Sequence, residues 1–312
     1  MLDLNRLFLL HQLEVLGTIS AVAQARAQTR PAVSQQLAKL EEDVGAALFE
    51  RSGRRVELTD VGRSLVLRSR ELFRLAERIE SDLLESTHQI AGQVRISAIG
   101  SVGSGLIPEV FTILSKAHPA VDILFSEMES PEGQRAAAAR QVDLAVVDDS
   151  VEHASVAGSL QLLPLGLDDF MAVVSAKHPL ATRSQISLLE LAQERWCINR
   201  ASVGYYALLM NACQARGFEP RIKSSCRSAI ATLELIRVGS VIAVLPSLSL
   251  SSARRDPDFA VLPLSPPLTR RIVIATVRES SRRPLVNAVI CALREAMTRH
   301  EQSLQRRRTK KR

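Results

Sequence analysis

Cysteine is scarce: the 312-residue chain has four, Cys197, Cys213, Cys226 and Cys291, with no C-x-x-C pair and no histidine at zinc-ligand spacing. A disulfide framework and a structural zinc site are thereby excluded, and the expectation is buried free thiols in a reducing compartment. Aromatic residues are few as well, one Trp, two Tyr and eight Phe. That is too few for the clustered stacking platforms that bind RNA or single strands. No uninterrupted apolar run approaches the roughly 18–20 residues of a membrane-spanning helix. The run Leu7–Leu10 is short and is followed by His11, Gln12 and Glu14, so no signal peptide and a cytoplasmic location are expected. The catalytic signatures G-x-G-x-x-G, P-loop, H-E-x-x-H and G-x-S-x-G are all missing. The six histidines are scattered, and Asp148-Asp149 is a lone acidic pair. Neither amounts to a catalytic set, so no enzyme activity, metal or cofactor is expected.

Hydrophobic residues at 46% and charged residues at 23% are ordinary for a soluble globular protein. At ~150 residues per domain the length suggests two domains or slightly more. The net charge is +7, but residues 299–312 hold seven Lys and Arg against one acid, Glu301. Six of the seven charges therefore sit in a tail expected to be disordered, and the basic balance alone is weak support for a nucleic-acid partner.

The first sixty residues are the most informative. Ile19, Val22 and Ala23 recur at helical spacing, then a polar Gln28-Thr29-Arg30 follows. Thr29 can cap a second helix and Pro31 is tolerated in its first turn. Val33, Leu37, Leu40 and Val44 form one apolar face of that helix, leaving Ser34, Gln35 and Lys39 outward for phosphates and base edges. Small Ala23 and Ala27 would let the two helices approach, which outlines a helix-turn-helix. Val56-Glu57-Leu58 alternates like a strand after the turn Ser52-Gly53, so Arg51, Arg54 and Arg55 would line a wing suited to the phosphate backbone or minor groove.

The segment PAVSQQLAKLEEDVGAALFERSGRRVELTDVG at 31–62 closely resembles the recognition helix and wing of LysR-type transcriptional regulators. Arg26 and Gln28 stand where that family has aliphatic residues. An arginine stem can cover apolar surface while its head stays wet. The resemblance continues through GSGLIPEV at 103–110, HPAVDI at 118–123, VDLAVV at 142–147, HPLA at 178–181 and VGSVIAVLP at 238–246, and so spans about residues 4–298.

From Asp60 to about Ile90 the chain lacks proline, and Val61, Leu65, Leu72, Ala76, Ile79, Leu83 and Ile90 make a largely heptad-like stripe. A helix of roughly 30 residues with such a stripe wants a partner helix, and the resemblance implies that it dimerises the chain. Beyond Ala91-Gly92, strand-like runs near 94–99, 121–126, 142–147, 171–175, 241–245 and 272–277 alternate with helical stretches near 104–117, 131–140, 187–193, 203–216, 227–238 and 284–298. Alternation of this kind predicts α/β layers with mostly parallel sheets.

The expected organisation is a winged helix-turn-helix at 1–59, a linker helix at 60–91, a first lobe from 92–163 with 268–298, a second lobe at 164–267, and the tail 299–312. The resemblance implies that the two α/β lobes are built like a periplasmic binding protein. The chain would cross between them near Leu163-Pro164 and return near Pro263–Pro267. Ligands in such folds lie beyond strand ends at helix N-termini, which nominates Ser101, Ser104, Ser130, Asn199 and Ser202. Ser101 and Ser202 match the family's pocket positions. Capping is the competing role for these hydroxyls, that of Ser104 and Ser130 above all. An anion such as a carboxylate would suit these ends, with Arg200 and Arg227 as candidate counter-charges. Peroxide-sensing members of the family use two nearby cysteines; Cys213 has no partner in the ten residues before it.

The resemblance therefore implies a sequence-specific regulator under the control of a small-molecule effector of unknown identity. It would bind an inverted-repeat site on double-stranded DNA as a homodimer or homotetramer, with no membrane partner. Arg30, Pro31, Ser34, Gln35 and Lys39 would lie along the major groove. The alternative, a stand-alone solute-binding or enzymatic two-lobed domain, has no use for the N-terminal sixty residues.

Overall fold

A computed structural model describes residues 1–52, 55–86, 90–149, 156, 158–278 and 280–310, the side chains of 51, 52, 55, 77, 80–86 and 305–310 excepted. Three short helices open the chain, α1 (Leu4–Leu16), α2 (Ile19–Ala25) and α3 (Arg30–Val44). Each has a side-chain cap: Asp3 accepts from the Asn5 and Arg6 amides, Thr18 from Ala21, and Thr29 from Ala32. Gly17 and Gly45 end α1 and α3 with left-handed backbones, which glycine adopts without a Cβ clash. The hairpin β1 (Phe49–Ser52) and β2 (Arg55–Leu58) follows, then the long helix α4 (Asp60–Ser86). Leu7, Leu10, Leu13, Ile19, Val22, Val33, Leu37, Leu40, Leu48 and Val66 share one core. Gly62 is required by packing, because a Cβ there would lie 2.0 Å from the Leu48 carbonyl oxygen.

The remainder is β3 (Gly92–Ala98), α5 (Gly100–Gly105), α6 (Ile107–Ala117), β4 (Val121–Glu127), α7 (Ser130–Ala138), β5 (Leu144–Asp148) and β6 (Gln161–Ser175), then β7 (Arg195–Cys197), α8 (Val203–Gln214), β8 (Arg221–Ser224), α9 (Ala229–Arg237), β9 (Ala243–Pro246), β10 (Phe259–Pro263), β11 (Thr269–Thr276) and α10 (Pro284–Lys310). The main sheet runs β10-β6-β11-β5-β3-β4, with β9 also on β6. Strand β6 belongs to two layers. Its first half pairs with β11, and Phe170–Ser175 is flanked by β9 and β10. One core gathers Val94, Ile96, Val102, Leu106, Val110, Leu144, Ile272, Ile274, Val289 and Leu293. A second gathers Phe170, Val174, Trp196, Tyr205, Leu209 and Val244. Among the described residues no single helix is long and apolar enough to cross a membrane.

Several expectations are corrected. The sheet is mixed rather than mostly parallel: β3 runs parallel to β4 and β5, but β11 is antiparallel to both β5 and β6. The cause is that β6 and β11 shuttle between the two layers in opposite directions. Strand β6 begins at Gln161, ten residues before the run expected at 171–175, and so carries the chain through Leu163-Pro164 as one strand. A register shift there leaves Leu165 unpaired between Pro164 and Gly166, and such a bulge accommodates a residue with no N–H to donate. Helix α10 continues to Lys310, so residues 299–310 extend a helix instead of forming a disordered tail. That stretch has no Gly or Pro, and Arg299 pairs with Glu109 and Glu295. Ile90 packs against the β3 core, not on the linker stripe. Ala27 is exposed at a left-handed turn position (φ 49°), so of the two small residues only Ala23 lies at the helix contact. Of the thiols, Cys197 and Cys213 are buried, Cys226 is half-buried and Cys291 is exposed.

Candidate nucleic-acid interface and interlobe cleft

Helix α3 is fixed from beneath. Val33, Leu37 and Leu40 are fully buried, which turns Gln35 and Lys39 to solvent, with Ser34 half-buried beside them. Arg30 and Pro31 form the exposed first turn, where free amides and the helix dipole favour an anion. Lys39 Nζ donates to Glu42 Oε2 at 2.8 Å, and this hydrogen bond and charge raise the Lys39 pKa. Arg26 sits at the end of α2 with its guanidinium 5.4 Å from the centre of the Phe8 ring, so its stem covers the corner where the family has an aliphatic residue. In the wing, Arg51 pairs in register with Val56, and Arg55 with Ser52; their side chains, and Arg54 altogether, lie outside the described residues.

The carboxyl ends of β3, β4, β5 and β7 turn toward one region between the two layers. Arg270, the second residue of β11, is at its centre. Strand alternation places Arg270 on the inward side with Ile272, while Arg271 points out. The Arg270 guanidinium donates to Asp168 Oδ2 at 2.8 Å and to the Ser101 hydroxyl, lies 3.8 Å from Asp148 Oδ2, and covers the Phe170 ring. Asp168 also accepts from the Leu248 amide at 3.1 Å. Ser130 donates to Asp148 Oδ2 at 3.0 Å, and its oxygen accepts from the Asp148 amide. A continuous polar chain thus joins Ser101, Arg270, Asp148 and Ser130.

Glu129, the residue before α7, and Ser202, the residue before α8, each occupy an N-cap position without capping their own helix. Instead Ser202 Oγ donates to Glu129 Oε2 at 2.7 Å, bonding one lobe to the other. Burial raises the Glu129 pKa, the Ser202 hydrogen bond opposes that rise, and the nearby Asp148 and Glu127 charges add to it while Arg227 lowers it. The Glu127 carboxylate lies against the start of α5, where a Cβ on Gly100 would come 2.9 Å from Oε1. The helix ends expected to receive an anion are thus met by the protein's own carboxylates.

Ser101, Ser130 and Ser202 are therefore brought to one region. The other two sequence-nominated residues are not engaged there. Ser104 folds its hydroxyl back to the Gly100 carbonyl at 2.9 Å, and Asn199 Oδ1 accepts from the Ala201 amide at 3.1 Å in a local turn. Arg200 is exposed over the Tyr206 ring, and Arg227 is exposed with its charge felt at Glu129. The residues missed were Arg270, Asp168, Glu127 and Glu129. The available signal was a charged residue at an inward strand position, Arg270 two before Ile272.

The family profile described as "Bacterial regulatory helix-turn-helix protein, lysR family" matches residues 4–63, and "LysR substrate binding domain" matches residues 87–298. A probable nitrogen assimilation transcriptional activator of Synechococcus elongatus is 27% identical over 283 residues, covering 90% of this chain and 91% of the relative. The transcriptional dual regulator GltC of Bacillus subtilis is 25% identical over 244 residues, covering 78% and 79%. A full-length OxyR variant from Pseudomonas aeruginosa has the same fold, with a TM-score of 0.68 at 20% identity over 94% of this chain and 95% of that one.

Proposed function

The chain belongs to the LysR family as a DNA-binding transcriptional regulator with an effector-binding region, and from that premise we propose which residues do the work. The observation that carries the reading is α3, whose buried Val33, Leu37 and Leu40 hold Gln35 and Lys39 outward beside Arg30 and Pro31. Gln35 reads base edges in the major groove, with Ser34 beside it. Arg30, the α3 amides and Lys39 hold phosphates, and Arg51, Arg54 and Arg55 of the wing follow the backbone or minor groove.

The polypeptide divides into a DNA-binding unit at 1–59, a linker at 60–91 whose helix runs from Asp60 to Ser86, and two lobes at 92–163 with 268–298 and at 164–267. Two copies pair through α4, where Val61, Leu72, Leu75 and Ile79 remain exposed on one side. The pair, alone or as two pairs, meets an inverted repeat. A small-molecule effector binds between the lobes at Ser101, Ser130 and Ser202. Both Glu129 and the Arg270 network border that space, so an anionic effector has to displace Glu129 from Ser202.

The test is to mix the purified protein with sheared genomic DNA from its source and sequence the retained fragments. A few sharp peaks sharing a dyad are expected. A flat profile lost at moderate salt would mean purely electrostatic binding and would overturn the reading.

A further inference from the structure

Helix α7 touches the interlobe cleft at one end and the DNA-binding unit at the other. At its start are Glu129, bonded across the cleft to Ser202, and Ser130, bonded to the buried Asp148. At its end, Gln12 Nε2 donates to the Ala139 carbonyl at 3.0 Å, and His11 Nε2 lies 3.1 Å from the Ala138 carbonyl. Carbonyls at the end of a helix have no intrahelical donor. Here helix α1 of the DNA-binding unit supplies the donors. The junction is dry: His11 and Gln12 are 5% and 1% exposed, and Val15 packs with Ala138, Ala139 and Val156. Just beyond, Arg140 takes a left-handed conformation (φ 55°) and sets its guanidinium 5.9 Å from the Phe73 ring of α4.

We propose that α7 is a direct mechanical link between the two sites of one chain: making or breaking the Glu129–Ser202 contact shifts α7, and the His11 and Gln12 bonds pass that shift to α1. The inference uses the cleft reading above only in taking the cleft as the place where the effector acts. A helix of nine residues spans about 13 Å, and rigid elements with two arrangements are what carry coupling between sites. The contact has two arrangements available, bonded or open. The α1 end is also poised for release, since His11 Nδ1 and Gln12 Oε1 are buried without a hydrogen-bond partner among the described residues, Glu14 standing 3.9 Å from Nδ1.

The test needs neither DNA nor effector, so it can fail while the regulator assignment stands. Hydrogen exchange of α1 amides is measured by mass spectrometry on the full chain in four forms: unaltered, Ser202→Ala, Gln12→Met, and both together. Ser202→Ala is expected to speed α1 exchange about threefold or more by loosening α7. In the Gln12→Met background the same change is expected to add almost nothing. Glu129→Ala, which cuts the contact from the other side, is expected to reproduce Ser202→Ala at α1. Unmoved α1 exchange in Ser202→Ala and Glu129→Ala overturns the proposal. So does an equal increment with and without Gln12. If Gln12→Met unfolds the chain, the two cleft variants alone still decide.

Discussion

Arg270 and Asp168 are directly paired residues of β11 and β6, and their side chains form an ion pair with the guanidinium 2.8 Å from Oδ2, both sealed from solvent. A buried pair of this kind adds little net stability over an apolar pair, but removing one partner strands the other charge. Asp148, 3.8 Å away, is already engaged by Ser130 and offers only partial relief. Asp168→Ala is therefore expected to cost ~3–5 kcal/mol, read from urea unfolding. The double replacement Arg270→Met with Asp168→Leu is expected to recover most of it. A loss below ~1 kcal/mol for the single change would mean that water or Asp148 satisfies Arg270.

His11 gives the fold a defined acid sensitivity. Burial lowers its pKa to about 4, and the charges of Arg140 and Arg70 push the same way against the Ala138 hydrogen bond; Glu14 lies 3.9 Å from Nδ1. Between about pH 6.5 and 4 the unfolded chain binds a proton there that the folded chain does not. Stability is thus unaffected by His11 at pH 7 and declines as pH falls through that window, by roughly 3 kcal/mol in all. His300, also lowered by burial, adds in the same direction. Unfolding free energies at pH 7, 6 and 5 should fall less steeply in His11→Asn than in the unaltered chain. Parallel slopes would show that His11 is hydrated in the folded state.

The parts of the molecule that could be read from residues alone are those where one local pattern decides the answer. Helix α3 was legible because Thr29, Pro31 and the 4-3-4 spacing of Val33, Leu37, Leu40 and Val44 all agree. Long-range features were not. The strand run was expected only at 171–175, but β6 starts at Gln161, because pairing with β11 across a bulge at Leu165 extends the strand through Pro164 and Gly166. Tail residues 299–310 looked solvated by charge, yet nothing in them stops a helix begun at Pro284. In the cleft, serines at helix starts were visible because their context is local. Arg270, Asp168 and Glu129 were not, since their partners lie 102, 102 and 73 residues away.

The two sides of α4 separate stability from association. Val66, Ser69 and Phe73 face the N-terminal core and are buried, whereas Leu72, Leu75 and Ile79 are about half exposed. Leu72→Glu is expected to leave the unfolding free energy of a single copy within ~0.5 kcal/mol. It should weaken self-association at least tenfold by sedimentation, because a charge at a helix seam loses its apolar contact and must be desolvated. An unchanged dissociation constant would place the interface elsewhere.

DNA contacts divide into those that read sequence and those that only hold. Gln35 projects from the middle of α3, where a bidentate amide can distinguish a base, so Gln35→Ala should flatten the preference between correct and mismatched sites by ~1–3 kcal/mol. Arg54, assigned to the wing by sequence, should behave differently. Arg54→Ala is expected to weaken every duplex to a similar degree and to lower the slope of log affinity against log salt by ~1. Titrating both variants against a matched, a mismatched and a random duplex at several salt concentrations separates the two effects. If Gln35→Ala instead lowered the salt slope and spared the preference, α3 would be lying along the backbone, and base reading would have to come from another element.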